Sequence, residues 1–560
     1  MQVSRANLHA RMLPVMGLRC HRAIRLPVSV GNRYYSHPRP EEFGMRLVVR
    51  IALCMLVASP LLAQRNSAYE LLIREHVYPN GLRLLVVERP GDSRVAAKIF
   101  TDMGAFNEAP GELGAAHFLE HLMFKGTHTL GTTNWEAEAR LHAVMASTEA
   151  ALIEELNRAR NSLRQRGVFH DYSHAASTSR VDSLRAAIAA LDSAIAQYRD
   201  HGAMMRWYQA YGGTGLTAST EQEYMKFDIN LPRSRVALFL RIEADRMRNS
   251  VFREFDVERM ILVEQRYGDL NRATTPYYEQ MNAAVGAIHP VFWPEGYPTD
   301  FLRYTRNSQR ELYETYFVPN NTTIVLVGGV RFDAMVGLVE QYFGWMERAP
   351  EPTRMRAVEP VPRAERRVVF RSADLDPRVE ARFLIPGVGH PDRPLFDVLL
   401  GVVRRTVEDE LATKGIAATV DANTRVVHTT RFGVPSSLNF EIVLDNEENI
   451  SGAESVLLGV LDQLGRTPVE QDRLATVKKH LKTDWHRLAL DAGRLAFEIG
   501  HFQTMDSWRT LQPYLEARDA ATSDDLTRLA REYFVSENRT VGIVRSPGQA
   551  ERETTSGRSR

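Results

Sequence analysis

The stretch AAHFLEHLMFKG at residues 115–126 places His117, Glu120 and His121 within five positions. On an α-helix, residues at i, i+3 and i+4 share a face, so the two imidazoles and the carboxylate converge. Two neutral imidazoles one turn apart can grip a zinc ion, and a carboxylate beside them can take a proton from a water whose pKa the ion has lowered toward neutrality. Such a set performs hydrolysis. The order is H-x-x-E-H, the reverse of H-E-x-x-H. Leu119, Leu122, Met123 and Phe124 put these groups on a mostly buried helix, where an uncompensated ionisable cluster would be costly. The plainer alternative is a histidine pair on a polar helix face ended by Gly126. His480 and His486, six apart in KKHLKTDWHRLAL, point to different faces of their helix and read as packing or surface residues.

The elements that must position this helix are written twice. LYETYFVPNNTTIVLV (312–327) and LAREYFVSENRTVGIV (529–544) share Leu, Tyr, Phe, Val, Asn, Thr and Val in register, each the end of a helix running into a buried strand. RLLVVERPGDSRVAAKIF (83–100) likewise resembles RRVVFRSADLDPRVEARF (366–383), two strands joined by a turn. The copies lie 284 residues apart at the front and 217 at the back, which makes the first copy longer by 67. The excess falls at about 135–207, where EAALIEELNRARNSLRQRG and SLRAAIAALDSAIAQYRD have helical period and predict a helical hairpin. Residues 349–364 are proline-rich and read as a linker. The expected domains are therefore 68–348 and 365–548, with 549–560 a disordered tail. Strand pairs mixed with amphipathic helices such as SRVALFLRIEADRM (234–247) predict an α+β fold.

The 560-residue composition, 44% hydrophobic and 25% charged, is ordinary for a globular chain and allows two or more cores. Seventy basic and 69 acidic residues leave a net charge of +1, so no global field draws the chain to nucleic acid or an anionic membrane. Met45 opens MRLVVRIALCMLVASPLLAQ, whose arginines precede a short apolar run. This predicts a secretory signal over 45–63 and a periplasmic or extracellular protein, with residues 1–44 an upstream extension. The run is too short for a stable membrane span. The arginine-rich 1–44 segment leaves a mitochondrial leader as the alternative. Cys20 and Cys54, the only cysteines, both fall in the part expected to be removed.

HFLEHLMFKG, the repeated half-chain and the strand GGTGLTAST (212–220) resemble the pitrilysin or insulinase family of zinc peptidases, M16, and the bacterial processing-peptidase-like members with a long helical insertion in particular. The resemblance covers essentially the whole mature chain. It implies two homologous α/β-sandwich-like domains closing like a clam around a peptide substrate, with Zn²⁺ held by His117 and His121 and Glu120 as general base.

Three positions depart from the pattern this resemblance implies. The third ligand is expected on FDVERMILVEQRYGD (255–269), seven residues after Glu258, and that place holds Gln265, with Glu264 one residue early. Either Glu264 turns in to bind or the neutral Gln265 oxygen serves and holds zinc more weakly; Glu264 is the preferred donor because a carboxylate stabilises a dication better than an amide, with Glu258 and Gln265 then supporting the ligands. The strand expected to pair with substrate reads Thr217-Ala218-Ser219 where bacterial relatives commonly carry an Asn, yet main-chain hydrogen bonds to peptide do not depend on that side chain. The Arg and Tyr expected in the second domain to stabilise the tetrahedral intermediate fall on or near Ala412 and Ala418. Their loss would remove several kcal/mol of oxyanion stabilisation unless a homologous partner subunit supplies the pair. The leading expectation is an exported zinc metallo-endopeptidase working with such a partner. The alternative is a non-catalytic subunit that binds peptides or a partner peptidase.

Overall fold

The computed structural model describes residues 69–168, 177–353, 359–425 and 436–547. The expected leader and tail, and residues 354–358 of the linker, lie outside these. Two sheets carry the fold. The first contains β1 (Ile73–Val77), β2 (Arg83–Glu88), β3 (Arg94–Thr101), β4 (Thr214–Thr220), β5 (Met225–Pro232) and β6 (Thr322–Gly328), in the order β1-β2-β6-β3-β5-β4. The second contains β7 (Arg366–Arg371), β8 (Arg378–Ile385), β9 (Ala418–Arg425), β10 (Ser436–Leu444) and β11 (Arg539–Arg545), in the order β7-β11-β8-β10-β9. Apart from β1, the two orders match strand for strand.

The match extends to register. β6 runs parallel to β2 with Thr323 opposite Arg83, and β11 runs parallel to β7 with Thr540 opposite Arg366. Each is antiparallel to its other neighbour, β3 or β8. The helices feeding these two strands, Arg306–Tyr316 and Ser523–Tyr533, both start with a reciprocal cap, Thr305 with Ser308 and Thr522 with Asp525. The repeated sequence is thus a repeated α+β unit.

Both faces of the first sheet are buried, which is why β2 and β6 read as continuous apolar runs rather than alternating ones. Leu84, Val86, Val95, Ala97 and Ile99 face the helix α1 (Ala115–Met123) through Phe118, Leu119 and Leu122. Their alternates Leu85, Val87, Ala96 and Phe100 pack against Leu495, Ala496 and Ile499 of a helix from the second half, Ala492–Met505. In the other direction, Tyr277 and Met281 of a first-half helix, Thr274–Val285, pack on Val544 of β11. Each half therefore lends a helix to the other's sheet.

The predicted hairpin is present as α2 (Trp135–Gln165) and α3 (Ser179–Ala196), which pack on each other between α1 and β4 in the chain. No helix among the described residues is long and apolar enough to cross a membrane.

Candidate metal centre and peptide edge

Glu108 starts the motif helix. Its buried carboxylate accepts hydrogen bonds from the backbone N–H groups of Gly114 and Ala116, both at 2.8 Å, satisfying donors that a helix N-terminus leaves open. Along α1 the apolar residues turn to the core, while His117 and His121 remain half-buried with ring centroids 4.9 Å apart and planes at 77°. Burial, reinforced by the charge of His121 and opposed by that of Asp269, takes the His117 imidazole down to about 4, so it is neutral at physiological pH.

The helix α4 (Phe255–Leu270) packs beside α1 and supplies the next contact. Glu258 Oε2 lies 2.9 Å from His121 Nδ1. A carboxylate on one ring nitrogen orients the imidazole and leaves Nε2 for a ligand, the usual support of a metal-binding histidine. Burial would raise the Glu258 carboxyl, but hydrogen bonds from His121 and Lys125 hold it below the ordinary range. Two neutral or carboxylate-supported imidazoles on adjacent turns suit a zinc ion.

Glu120 lies between the histidines in sequence and faces the sheet. Its Oε2 accepts a hydrogen bond from the Thr220 hydroxyl at 2.6 Å, at the end of β4. Burial pushes the Glu120 carboxyl up, opposed by the Thr220 bond and by the charges of His121, Lys226 and Arg246. Among the described residues β4 is an edge strand, paired only with β5, with a register shift between Thr214 and Thr217. Thr217, Ala218 and Ser219 therefore sit on a strand with one side unpaired among the described residues, next to the strand end that holds Glu120.

Helix α4 keeps the other predicted residues farther apart. Glu264 and Gln265 are both exposed, and among the described residues neither bonds to His117, Glu120 or His121. No three His, Cys, Asp or Glu side chains among the described residues stand close enough together to hold an ion. The α4 carboxylate whose charge reaches His117 is Asp269, four residues and about one turn beyond Gln265. The sequence reading overlooked it, although spacing of i+4 from Gln265 was the available signal. It also overlooked Thr220, which follows the three strand residues directly. Ala412 lies in the last turn of the helix Arg393–Thr413, and Ala418 begins β9.

The chain is similar in sequence and in fold to known proteins. The sequence model described as insulinase (peptidase family M16) matches residues 83–152, which include the histidine motif, and the model described as peptidase M16 inactive domain matches 303–481. The chain is 20% identical over 343 residues to a protein named zinc protease PqqE of Helicobacter pylori (strain ATCC 700392 / 26695), covering 60% of this chain and 77% of that one. It is 48% identical over 50 residues to an uncharacterized zinc protease of Rickettsia bellii (strain RML369-C), covering 9% of this chain and 12% of that one. Among solved structures, a protease from Helicobacter pylori shares the fold with a TM-score of 0.66 at 18% identity, over 86% of this chain and all of that one. The periplasmic protease PqqL from Escherichia coli does so with a TM-score of 0.63 at 13% identity, over 86% of this chain and 48% of the longer PqqL chain. With a repeated α+β unit, the histidine motif on its first copy and family models matching in both halves, the chain is similar to peptidase family M16, the insulinase family, in each of its two halves.

Proposed function

We propose that this chain is an exported zinc-dependent endopeptidase that cleaves extended peptides or unfolded segments laid along β4. The observation that carries the reading is the joint placement of Glu258 on His121 Nδ1 and of Glu120 at the end of a free strand edge. His117 and His121 would hold the ion. Bound there, zinc supplies Lewis acidity, polarising a carbonyl oxygen and making a water easier to deprotonate. A peptide added to β4 through main-chain hydrogen bonds would bring its backbone past Glu120. Glu120, raised by burial and oriented by Thr220, takes the proton from the attacking water and delivers it to the departing amide nitrogen. For the third ligand, an oxygen donor, α4 offers Glu264, the sequence candidate, and Asp269, whose charge acts on His117. Zinc affinity of Glu264→Ala and Asp269→Ala separates them: the true ligand's loss weakens binding by orders of magnitude. Export accords with the signal-like segment at 45–63 and with the periplasmic description of PqqL, and a mature N-terminus near Gln64 would support it.

The test of the mechanism is Glu120→Gln in zinc-loaded protein. Cleavage of a fluorogenic peptide should fall at least about 100-fold with zinc content unchanged. Full activity in that variant would remove the mechanism.

A second reading is motivated by Ala412 and Ala418, where the Arg and Tyr pair is missing. On it the chain is a subunit whose activity needs a homologous partner carrying that pair. Peptidase assays of the chain alone, and mixed with such a partner, distinguish the two. Activity alone excludes the second reading.

A further inference from the structure

Glu254 is the one non-glycine among the described residues with a positive φ, at φ 56° and ψ 29°. Glutamate gains nothing from this left-handed conformation, which costs an L-residue energy and persists only where surrounding contacts enforce it. The contacts here are specific. Arg253, the preceding residue, binds Glu138 near the start of α2 through Nε at 2.6 Å and Nη2 at 3.0 Å, and the carbonyl oxygens of Lys125 and Thr127 at 3.1 and 2.9 Å. Glu254 turns to other partners. Its Oε2 is 3.1 Å from Lys125 Nζ, and its Oε1 is 2.9 Å from His201 Nδ1 and 3.8 Å from Arg199 Nη1, beyond the end of α3. Arg199 in turn binds Asp192 on α3 at 2.8 Å.

The chain of contacts continues inward. Lys125 also pairs with Glu258 Oε1, and Glu258 Oε2 meets His121 Nδ1 at 2.9 Å. Arg199, Glu254 and Glu258 side chains are 9%, 16% and 6% exposed, so these pairs sit where water screens them weakly. Both ends of the hairpin thus converge on the dipeptide Arg253-Glu254 that opens the helix carrying Glu258.

The geometry points to Glu254 as a positioning residue that couples the base of the α2–α3 hairpin, through Lys125 and Glu258, to the orientation of His121. The inference rests on the reading of His117 and His121 as zinc ligands. It gives the hairpin a role beyond bulk: its base fixes the carboxylate that aims a ligand, and displacement of the hairpin would loosen the metal.

The decisive variant is Glu254→Gly, because glycine accepts a positive φ without strain and removes the carboxylate. If Glu254 were there only to hold the fold, Glu254→Gly would change thermal stability and leave metal affinity alone. Positioning predicts that the metal-free variant melts no more than slightly below the parent while its zinc Kd, measured by competition with a chromophoric chelator, rises about 10- to 100-fold. Lys125→Met should weaken zinc comparably, and the double variant should be no weaker than Lys125→Met alone, since both interrupt one chain. Unchanged zinc Kd in Glu254→Gly, or losses that multiply in the double variant, overturn the coupling while leaving the zinc site standing. Failure of the parent protein itself to take up zinc overturns the proposed function and the coupling together.

Discussion

A single hydroxyl orients the carboxylate to which we assign proton transfer. Thr220 donates to Glu120 at 2.6 Å from the end of β4, so replacing it with valine keeps the shape and removes the bond. A hydrogen bond to a charged group contributes about 1.5–3 kcal/mol, and the expected result for Thr220→Val is a drop in kcat/KM of roughly ten- to 100-fold with zinc affinity intact, read from steady-state kinetics and a zinc titration. That His117, Glu120 and His121 lie on one helix was legible from spacing alone, because helical periodicity is a local property. Thr220 and Asp269 were not, because their meeting with α1 depends on how a distant strand and helix pack. Lys125 and Glu254 were invisible for the same reason.

The hairpin is fastened at the level of elements by a buried ion pair. Glu138 in the first turn of α2 is fully buried against Arg253. Burial alone would raise its carboxyl, but hydrogen bonds from His142, Arg253 and Thr132, with the guanidinium's charge, hold it at about 2. That lies below the value in an unfolded chain, about 4.3. The stabilisation is therefore complete above that pH and is lost as pH falls toward 2. Thermal melts of the parent between pH 5 and about 2 should show a steep loss. Glu138→Gln should flatten that dependence and lower stability at neutral pH by about 3–5 kcal/mol, the cost of stranding a buried partner charge. The hairpin itself was readable from its length excess and helical period, whereas its fastening was not, since Glu138 and Arg253 lie 115 residues apart.

Across the whole molecule, the duplication could be read from two short segments, and the sheets confirm it strand for strand. The exchange of helices left no such trace, because Gly500 and Gly542 look like ordinary glycines in sequence. A Cβ at Gly500 would lie 2.0 Å from the Phe100 ring, and one at Gly542 would lie 2.5 Å from the Tyr277 hydroxyl. Gly500→Ala should force the helix Ala492–Met505 off the first sheet and cost about 1–3 kcal/mol, measured by denaturant unfolding. A coincident fall in peptidase activity would follow if the halves must stay in register. The same exchange governs synthesis. The first sheet is complete once Gly328 has been made, yet Leu85, Phe100 and Val325 stay bare until the helix that begins at Ala492 leaves the ribosome. During that interval the nascent protein carries an uncovered greasy surface, so its yield in a cell depends on whatever shields it until translation ends.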